Sequence, residues 1–501
     1  MGYTGRKRKS GPSTEPTAGH EDSIYWRPIV VVTVMLFIHG LGNCMSLAPQ
    51  TRSFEDIVCR QHYKVDDNTP GSGPSEEMCK DPAVQEVVAE LFGWQTFFDG
   101  IPGLILAMWF GVLADKQGRR RVFFLSVVGQ VLGACWVLFI SWLELPLRLV
   151  WLSSFFLVVG GGSTVTGAVA MMIITDASPE KYRSNIFFYA QAALIVAELI
   201  GPAIGSALMA NSLWSPLLLG LACTIITAIL AGTIPETLPR GEDNSIESDR
   251  EDLSVDLSLQ RTLKNLLRHV NKTIGFILRH RSVLFLVLTF LVVDFSRQSL
   301  GVLLQYLSTR YAIPIARANL LLSFRAFAQL VTFVAILPVL NLFISKKLGF
   351  SARVKDFLLS RLSIMFIMIC FAVLVLAPSI PVVVVGLAFY TLGSSFARSL
   401  LSSLVEKDMV GTLFTTLSMM DTLGSLLAGP IVARTFSWSM RLDGIWKGLP
   451  YIMSFAMCDL ASLALYRAGH ADLPEEYLES HDEEESRSLL GQDTSPQQLQ
   501  T

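Results

Sequence analysis

Gly111-Val-Leu-Ala-Asp115-Lys-Gln-Gly118-Arg119-Arg120-Arg121 is a short polar stretch set between two long apolar runs, Val88–Ala114 and Val122–Trp142. Each run is long enough to cross the ~30 Å hydrocarbon core as a helix, which takes about 20 apolar residues. In lipid, only a helix or a closed barrel satisfies its own backbone polar groups. Neither run alternates as a barrel strand does, so both read as helices and the polar stretch as the turn joining them. Gly111 lets a neighbouring helix approach closely. Gly118 permits a tight turn that a side chain would obstruct. Asp115 is placed to bond across the mouth of a bundle, and the arginines suit an anionic leaflet.

The rest of the 501-residue chain repeats this pattern. It is 51% hydrophobic and only 16% charged, against about 25% charge in a soluble domain. Mean hydropathy is +0.48. Further spans are expected at Arg27–Ala48, Arg148–Thr175, Asn185–Met209 and Ser215–Thr233, then at Val283–Leu304, Asn319–Ile344, Phe357–Ala377, Pro381–Leu401, Gly411–Ala433 and Leu449–Arg467. The expected fold is all-α, a polytopic membrane protein of twelve helices in two six-helix bundles. A tail over 1–26 precedes a first bundle over 27–234. A linker over 235–282 has an acidic half, Glu242 to Asp256, and a basic amphipathic half from Arg261 to Arg281, which suits a helix on the membrane surface. A second bundle over 283–468 leads to an acidic tail over 469–501, expected to be disordered.

Basic residues set the orientation. Arg6, Lys7, Arg8 and Lys9 precede the first span, Lys116 and Arg119 to Arg121 follow the second, and Lys346, Lys347, Arg353 and Lys355 follow the eighth. Both termini are therefore expected on the cytoplasmic side, and no cleavable signal peptide is expected. The long loop after the first span then lies outside. It holds Cys59 and Cys79, for which a disulfide is the simplest reading in an oxidising compartment. The halves also echo each other: Gly201-Pro202 in the fifth span matches Gly429-Pro430 in the eleventh. Two like halves with cargo held between them is a transporter plan.

The Gly111–Arg121 stretch resembles the G-x-L-A-D-x-x-G-R-[RK] signature of the major facilitator superfamily, and the six-plus-six plan resembles that family throughout. The resemblance implies gating by Gly111, Asp115, Gly118, Arg119 and Arg120 together with Asp176 and Arg183 of Asp176-Ala-Ser-Pro-Glu-Lys-Tyr-Arg183. Ala197-x-x-x-Gly201-Pro202-x-x-Gly205-Ser206 is similar to the helix-packing motif of drug and metabolite:proton antiporters, with Ala197 and Ser206 in place of glycines. Phe155–Gly162 has the expected glycines but lacks the arginine that antiporters often carry there. Thr233-Ile-Pro235-Glu236-Thr237 resembles the ending of the sixth span in fungal members. The Cys59–Cys79 loop and the acids at membrane depth resemble, more distantly, the proton-coupled folate transporter family.

An ionisable side chain at membrane depth is costly, about 2.5–3.5 kcal/mol on insertion scales, and is a functional candidate by default. Glu198, Asp99, Asp421 and Asp294 are candidates for proton coupling. His39, Asn43, Gln191, Arg297, Gln305, Arg325, Gln329 and Arg398 are candidates for a cavity that holds cargo. Helical spacing puts His39, Asn43 and Ser46 on one face, and Arg325, Gln329 and Thr332 on another. Asp294 and Arg297 equally suit a mutual neutralising pair. Spans three, six and nine hold essentially no such residues, as the resemblance implies for helices on the periphery.

No Walker phosphate loop, nucleophile elbow or metal-ligand cluster is present in the sequence, so neither an ATP-driven pump nor an enzyme is expected. No cofactor, metal or nucleic-acid partner is expected. The expected partners are a small-molecule substrate, protons and the lipid bilayer, and the protein is expected to be monomeric. The resemblance implies secondary active transport by alternating access, with proton-coupled efflux of a drug, toxin or secondary metabolite as the leading reading. Import of a small organic solute and a non-transporting sensor on the same scaffold stay open. The plasma membrane is the expected location. Glu485-x-x-x-Leu489-Leu490 keeps a vacuolar or endosomal membrane in view.

Overall fold

The computed structural model describes residues 25–64, 75–237, 295–339, 352–403 and 410–471. Among these the regular elements are helical. The first half comprises α1 (Trp26–Tyr63), α2 (Pro82–Gln117), α3 (Arg119–Trp142), α4 (Ser153–Leu157), α5 (Gly162–Ala177), α6 (Glu180–Met209) and α7 (Trp214–Ala231). The second comprises α8 (Leu303–Tyr311), α9 (Ile315–Val331), α10 (Ala352–Leu376), α11 (Ile380–Ser403), α12 (Val410–Ser439) and α13 (Leu449–Ala471). The linker helix expected over 261–281 and the tail beyond Asp472 lie outside the described residues.

Six helices among the described residues are long and apolar enough to cross a bilayer, and the bent pair Pro82–Ala107 and Trp109–Gln117 raises this to seven. Their outward faces carry large apolar side chains. Phe155 is 74% exposed, Ile229 64% and Val339 65%. Large apolar side chains on outward faces suit lipid tails, which solvate them.

One expectation about a helix end is corrected. The first span was expected to stop at Ala48, but α1 continues through Pro49 to Tyr63, 38 residues in all. At 1.5 Å per residue that is about 57 Å, well beyond the ~30 Å core. The excess forms a platform at the disulfide end, where Phe54, Ile57, Cys59, Cys79, Val84, Val88 and Ile140 make a core of their own. Packing there overrides the polar composition that suggested a loop. The fourth span, expected over Arg148–Thr175, is found as one apolar stretch, Leu147–Ala177, long enough to cross. Inside it the chain runs through a 3-10 segment, Leu147–Leu152, then α4 and α5. Gly161 and Gly162 have φ of +77° and +68°, left-handed values that end a right-handed helix.

Within the first half, α1 packs on α6 and α7, and α3 on α5 and α7; within the second, α10 packs on α11 and α13. The halves meet along two seams, α2 with α12 and α6 with α9.

Candidate functional site

At the Gly118 end of the bundle, Arg119 is the hub. Its Nη1 lies 2.5 Å from Asp176 Oδ2 at the end of α5. Its Nη2 is 3.8 Å from Asp115 Oδ1, and Asp115 is 63% exposed. Arg119 donates its backbone N–H to Glu236 Oε1 at 2.9 Å. Arg120 donates to the carbonyl of Gly232 just past α7. Gly118 has φ +102°, and a side chain there would run into the Glu236 carboxylate. Glu236 thus caps α3, placing a negative charge where the helix leaves N–H groups unpaired and its dipole is positive. Arg183 is half-buried and makes no ion pair among the described residues, and its Nε has no hydrogen-bond partner. Gly111 has open space around it in this arrangement rather than a close helix neighbour.

The α6–α9 seam carries an aromatic contact just past the end of α9 and polar contacts further along. Phe188 stacks on Phe333 with centroids 4.3 Å apart. Nearer the middle, Arg325 donates to Glu198 Oε2 at 3.1 Å. Beyond that, Asn319 donates to the Pro202 carbonyl at 2.9 Å and to Ser206 Oγ at 3.0 Å. Gly201 and Gly205 face the backbone of α1 at Leu41 and Met45. On the α2–α12 seam, Gly93 and Gly429 let the two backbones touch, so that a Cβ on either would meet the carbonyl of the other at 3.0 Å. The Gly-Pro dipeptides that echo in the sequence therefore work differently: Gly201 seals a contact inside its own half, Gly429 a contact between halves.

At the disulfide end, Cys59 and Cys79 are bonded, with Cα atoms 5.3 Å apart. Two ion pairs join α2 to the far end of α12 and the turn that follows it here. Arg434 Nη1 is 2.7 Å from Glu90 Oε1, and Arg441 contacts both oxygens of Glu86, with 2.9 Å to each from Nη2.

Residues 82–429 match the sequence profile of the Major Facilitator Superfamily. The chain belongs to that superfamily. It is similar to the MFS efflux pump atnC of Emericella nidulans, at 33% identity over 428 residues, 83% of each chain. It is also similar to the efflux pump ustT of Aspergillus flavus, at 29% identity over 456 residues, 88% of each. Solved structures share the fold: a POT family transporter (TM-score 0.61, 14% identity, 89% of this chain and 97% of that one) and the human organic anion transporter MFSD10 (TM-score 0.55, 15% identity, 88% and 99%). The protein is thus a multi-pass helical membrane transporter.

For a superfamily member the groups at membrane depth matter most. Asp99 Oδ1 accepts from Ser154 Oγ at 2.6 Å, inside the first half. His39 Nε2 and Asn43 Nδ2 lie 3.1 Å apart. Ser46, expected on their wet face, instead packs on Gly220 of α7, because α1 is covered by α7 along that side. Gln191 is half-buried, Gln305 and Gln329 are buried, and Arg297 is exposed. Asp294 lies outside the described residues, as do the side chains of Arg398 and Asp421.

The superfamily signature alone did not single out Glu236, Asn319 or the Glu86, Glu90, Arg434 and Arg441 group. Glu236 belongs to the Pro-Glu-Thr ending, which was visible but had no partner in sequence. Glu86 and Glu90 stand at i and i+4, and Arg434 and Arg441 at i and i+7. The first spacing puts like charges on one helix face, a signal that was available, whereas Arg441 lies in the turn past the end of α12.

Proposed function

We propose that this chain is a proton-coupled exporter of a small organic molecule working by alternating access. The observation that carries this reading is the Glu198–Arg325 pair, set across the α6–α9 seam between halves that must separate and rejoin. The pair sets a carboxylate against a guanidinium 3.1 Å away on the other half. Cargo or helix movement that draws Arg325 away leaves that carboxylate without its partner. Glu198 then picks up a proton in one state and gives it back in the other. Its similarity to proteins named as efflux pumps supports the export direction. In this reading the bundles over 27–234 and 283–468 rock about the seams. The termini and the Gly118 end face the cytoplasm, and the plasma membrane is the location. The basic residues around Gly118 and the disulfide at the opposite end support that orientation.

The test is flux of candidate cargoes in proteoliposomes under an imposed pH gradient of either sign. Cargo movement opposite to the proton gradient is expected. Movement with it, or none, overturns the export reading.

The Gly118-end contacts hold one gating state, with Arg119 and Asp176 at the centre and Asp115 at the edge. Asp176→Asn is expected to slow turnover by about tenfold, since removing one partner of a half-buried ion pair strands the other. Asp115→Asn is expected to stay within about twofold, because an exposed pair at 3.8 Å contributes little. Initial efflux rates at equal reconstitution check both. Equal losses in the two variants would remove the ranking.

A further inference from the structure

The loop closed by the Cys59–Cys79 disulfide crosses from one half of the transporter to the other. Glu76 stands three residues before Cys79. Its Oε1 accepts the backbone N–H of Ile315 at 2.8 Å, in the first turn of α9. Ile315 is 1% exposed and the Glu76 side chain 30%, so this contact is partly buried. Glu76 Oε1 also accepts from Lys80 Nζ at 3.2 Å. Lys80 donates in turn to Glu55 Oε1 at 2.7 Å. Glu55 is fully buried, and it also accepts from Gln85 Nε2 at 2.5 Å and Arg52 Nη1 at 3.1 Å. Gln85 completes the circuit by donating to the Cys79 carbonyl at 2.9 Å. A continuous set of hydrogen bonds therefore runs from the disulfide and α1 in the first half to the start of α9 in the second.

Beside it opens a cavity of about 490 Å³ whose walls come from both halves. Glu76, Arg52, Asp56, Ser206 and Trp214 line it with Ala316 of α9. Ser206 in its lining is 9% exposed and accepts from Asn319 of α9.

We propose that Glu76 is a positioning residue for transport: it latches the disulfide end shut by holding the start of α9 against the first half. Three features single it out from the other cross-half pairs at this end. Arg434 and Arg441 are 58% and 67% exposed, so water and salt screen their pairs. Glu76 instead meets a helix N-terminus, where an N–H without an intrahelical partner and the positive end of the dipole coincide. The disulfide also sets its reach. With Cys79 fixed to α1, three residues of chain span at most about 10 Å. The loop cannot follow α9 outward, so opening must break the contact rather than stretch it.

The latch rests on the alternating-access reading, but its test needs neither cargo nor a proton gradient. Ser206→Cys is introduced as a reporter in the full chain, and its reaction with a membrane-impermeant thiol reagent is timed in sealed proteoliposomes. Labelling of the chain without the reporter is subtracted. Glu76→Ala is expected to raise the labelling rate about tenfold, the effect of losing one charge-assisted hydrogen bond from the closed state. Glu76→Asp, which keeps the carboxylate, is expected to return the rate toward that of the parent. An unchanged rate in Glu76→Ala overturns the latch. So does an equal rise in Glu76→Asp with a lowered melting temperature, which marks general loosening of the platform. Failure here leaves the efflux reading standing, and absence of efflux leaves the labelling result standing.

Discussion

Glu198→Gln is expected to abolish accumulation driven by the pH gradient while leaving downhill exchange of cargo in place. Glutamine keeps the shape and can still accept from Arg325, so the α6–α9 seam should hold together. What disappears is the proton-binding group and the charge that keeps Arg325 occupied. The pair spans 3.1 Å between halves, with side chains 36% and 21% exposed. Partial exposure moderates the stability cost, which we put at about 1 kcal/mol. The effect on coupling is larger. Accumulation under an imposed gradient should fall to the ratio reached with no gradient at all. Accumulation ratios with and without an imposed gradient check it. Full gradient dependence in the variant would make Glu198 a structural partner of Arg325, and the proton would have to be carried elsewhere. Asp99, hydrogen-bonded inside its own half, would be the next residue to test.

Gly118→Ala is expected to have the second large effect. Gly118 sits at φ +102° and ψ 144°, a region that is essentially restricted to glycine and costs other residues about 1–3 kcal/mol. The added methyl group also enters the space of the Glu236 carboxylate. The turn would have to re-form, moving Arg119 off both Glu236 and Asp176. A loss of roughly tenfold or more in turnover follows from that energy. Glu236→Ala alone removes a helix cap and should cost only about 1 kcal/mol. Combining the two relieves the steric conflict but not the backbone strain. The double variant should therefore be better than the sum of the singles and worse than the parent. A Gly118→Ala protein with parental turnover would show that this turn has no part in gating.

Much of the fold was legible because the solvent is lipid. A run such as Val122–Trp142 has one stable way to cross a bilayer, so its composition dictates a helix without reference to any neighbour. Gly118 could likewise be read alone, because a requirement for unusual backbone angles is a local property. The helix ends were less legible. Polar residues such as Arg52, Glu55 and Asp56 suggested a loop after Ala48, yet they sit on a helix whose apolar side covers a core of its own. Partnerships were illegible. Glu198 has no mate in its own helix, and its partner Arg325 lies 127 residues away. Glu236 meets Arg119 from 117 residues away.

The stretch Gly111 to Arg121 by itself determined that two membrane helices are joined by a tight, basic, glycine-dependent turn. Helix formation, turn geometry and preference for an anionic surface are all properties of a few adjacent residues. Only the tertiary structure decided that Arg119 rather than Asp115 is the hub of that turn. It also placed Glu236 over Gly118 and set Glu198 against Arg325 between the halves. Such pairings depend on which helices lie side by side. That is settled by packing small residues such as Gly93 on Gly429 across hundreds of positions of chain, and no local run of sequence contains it.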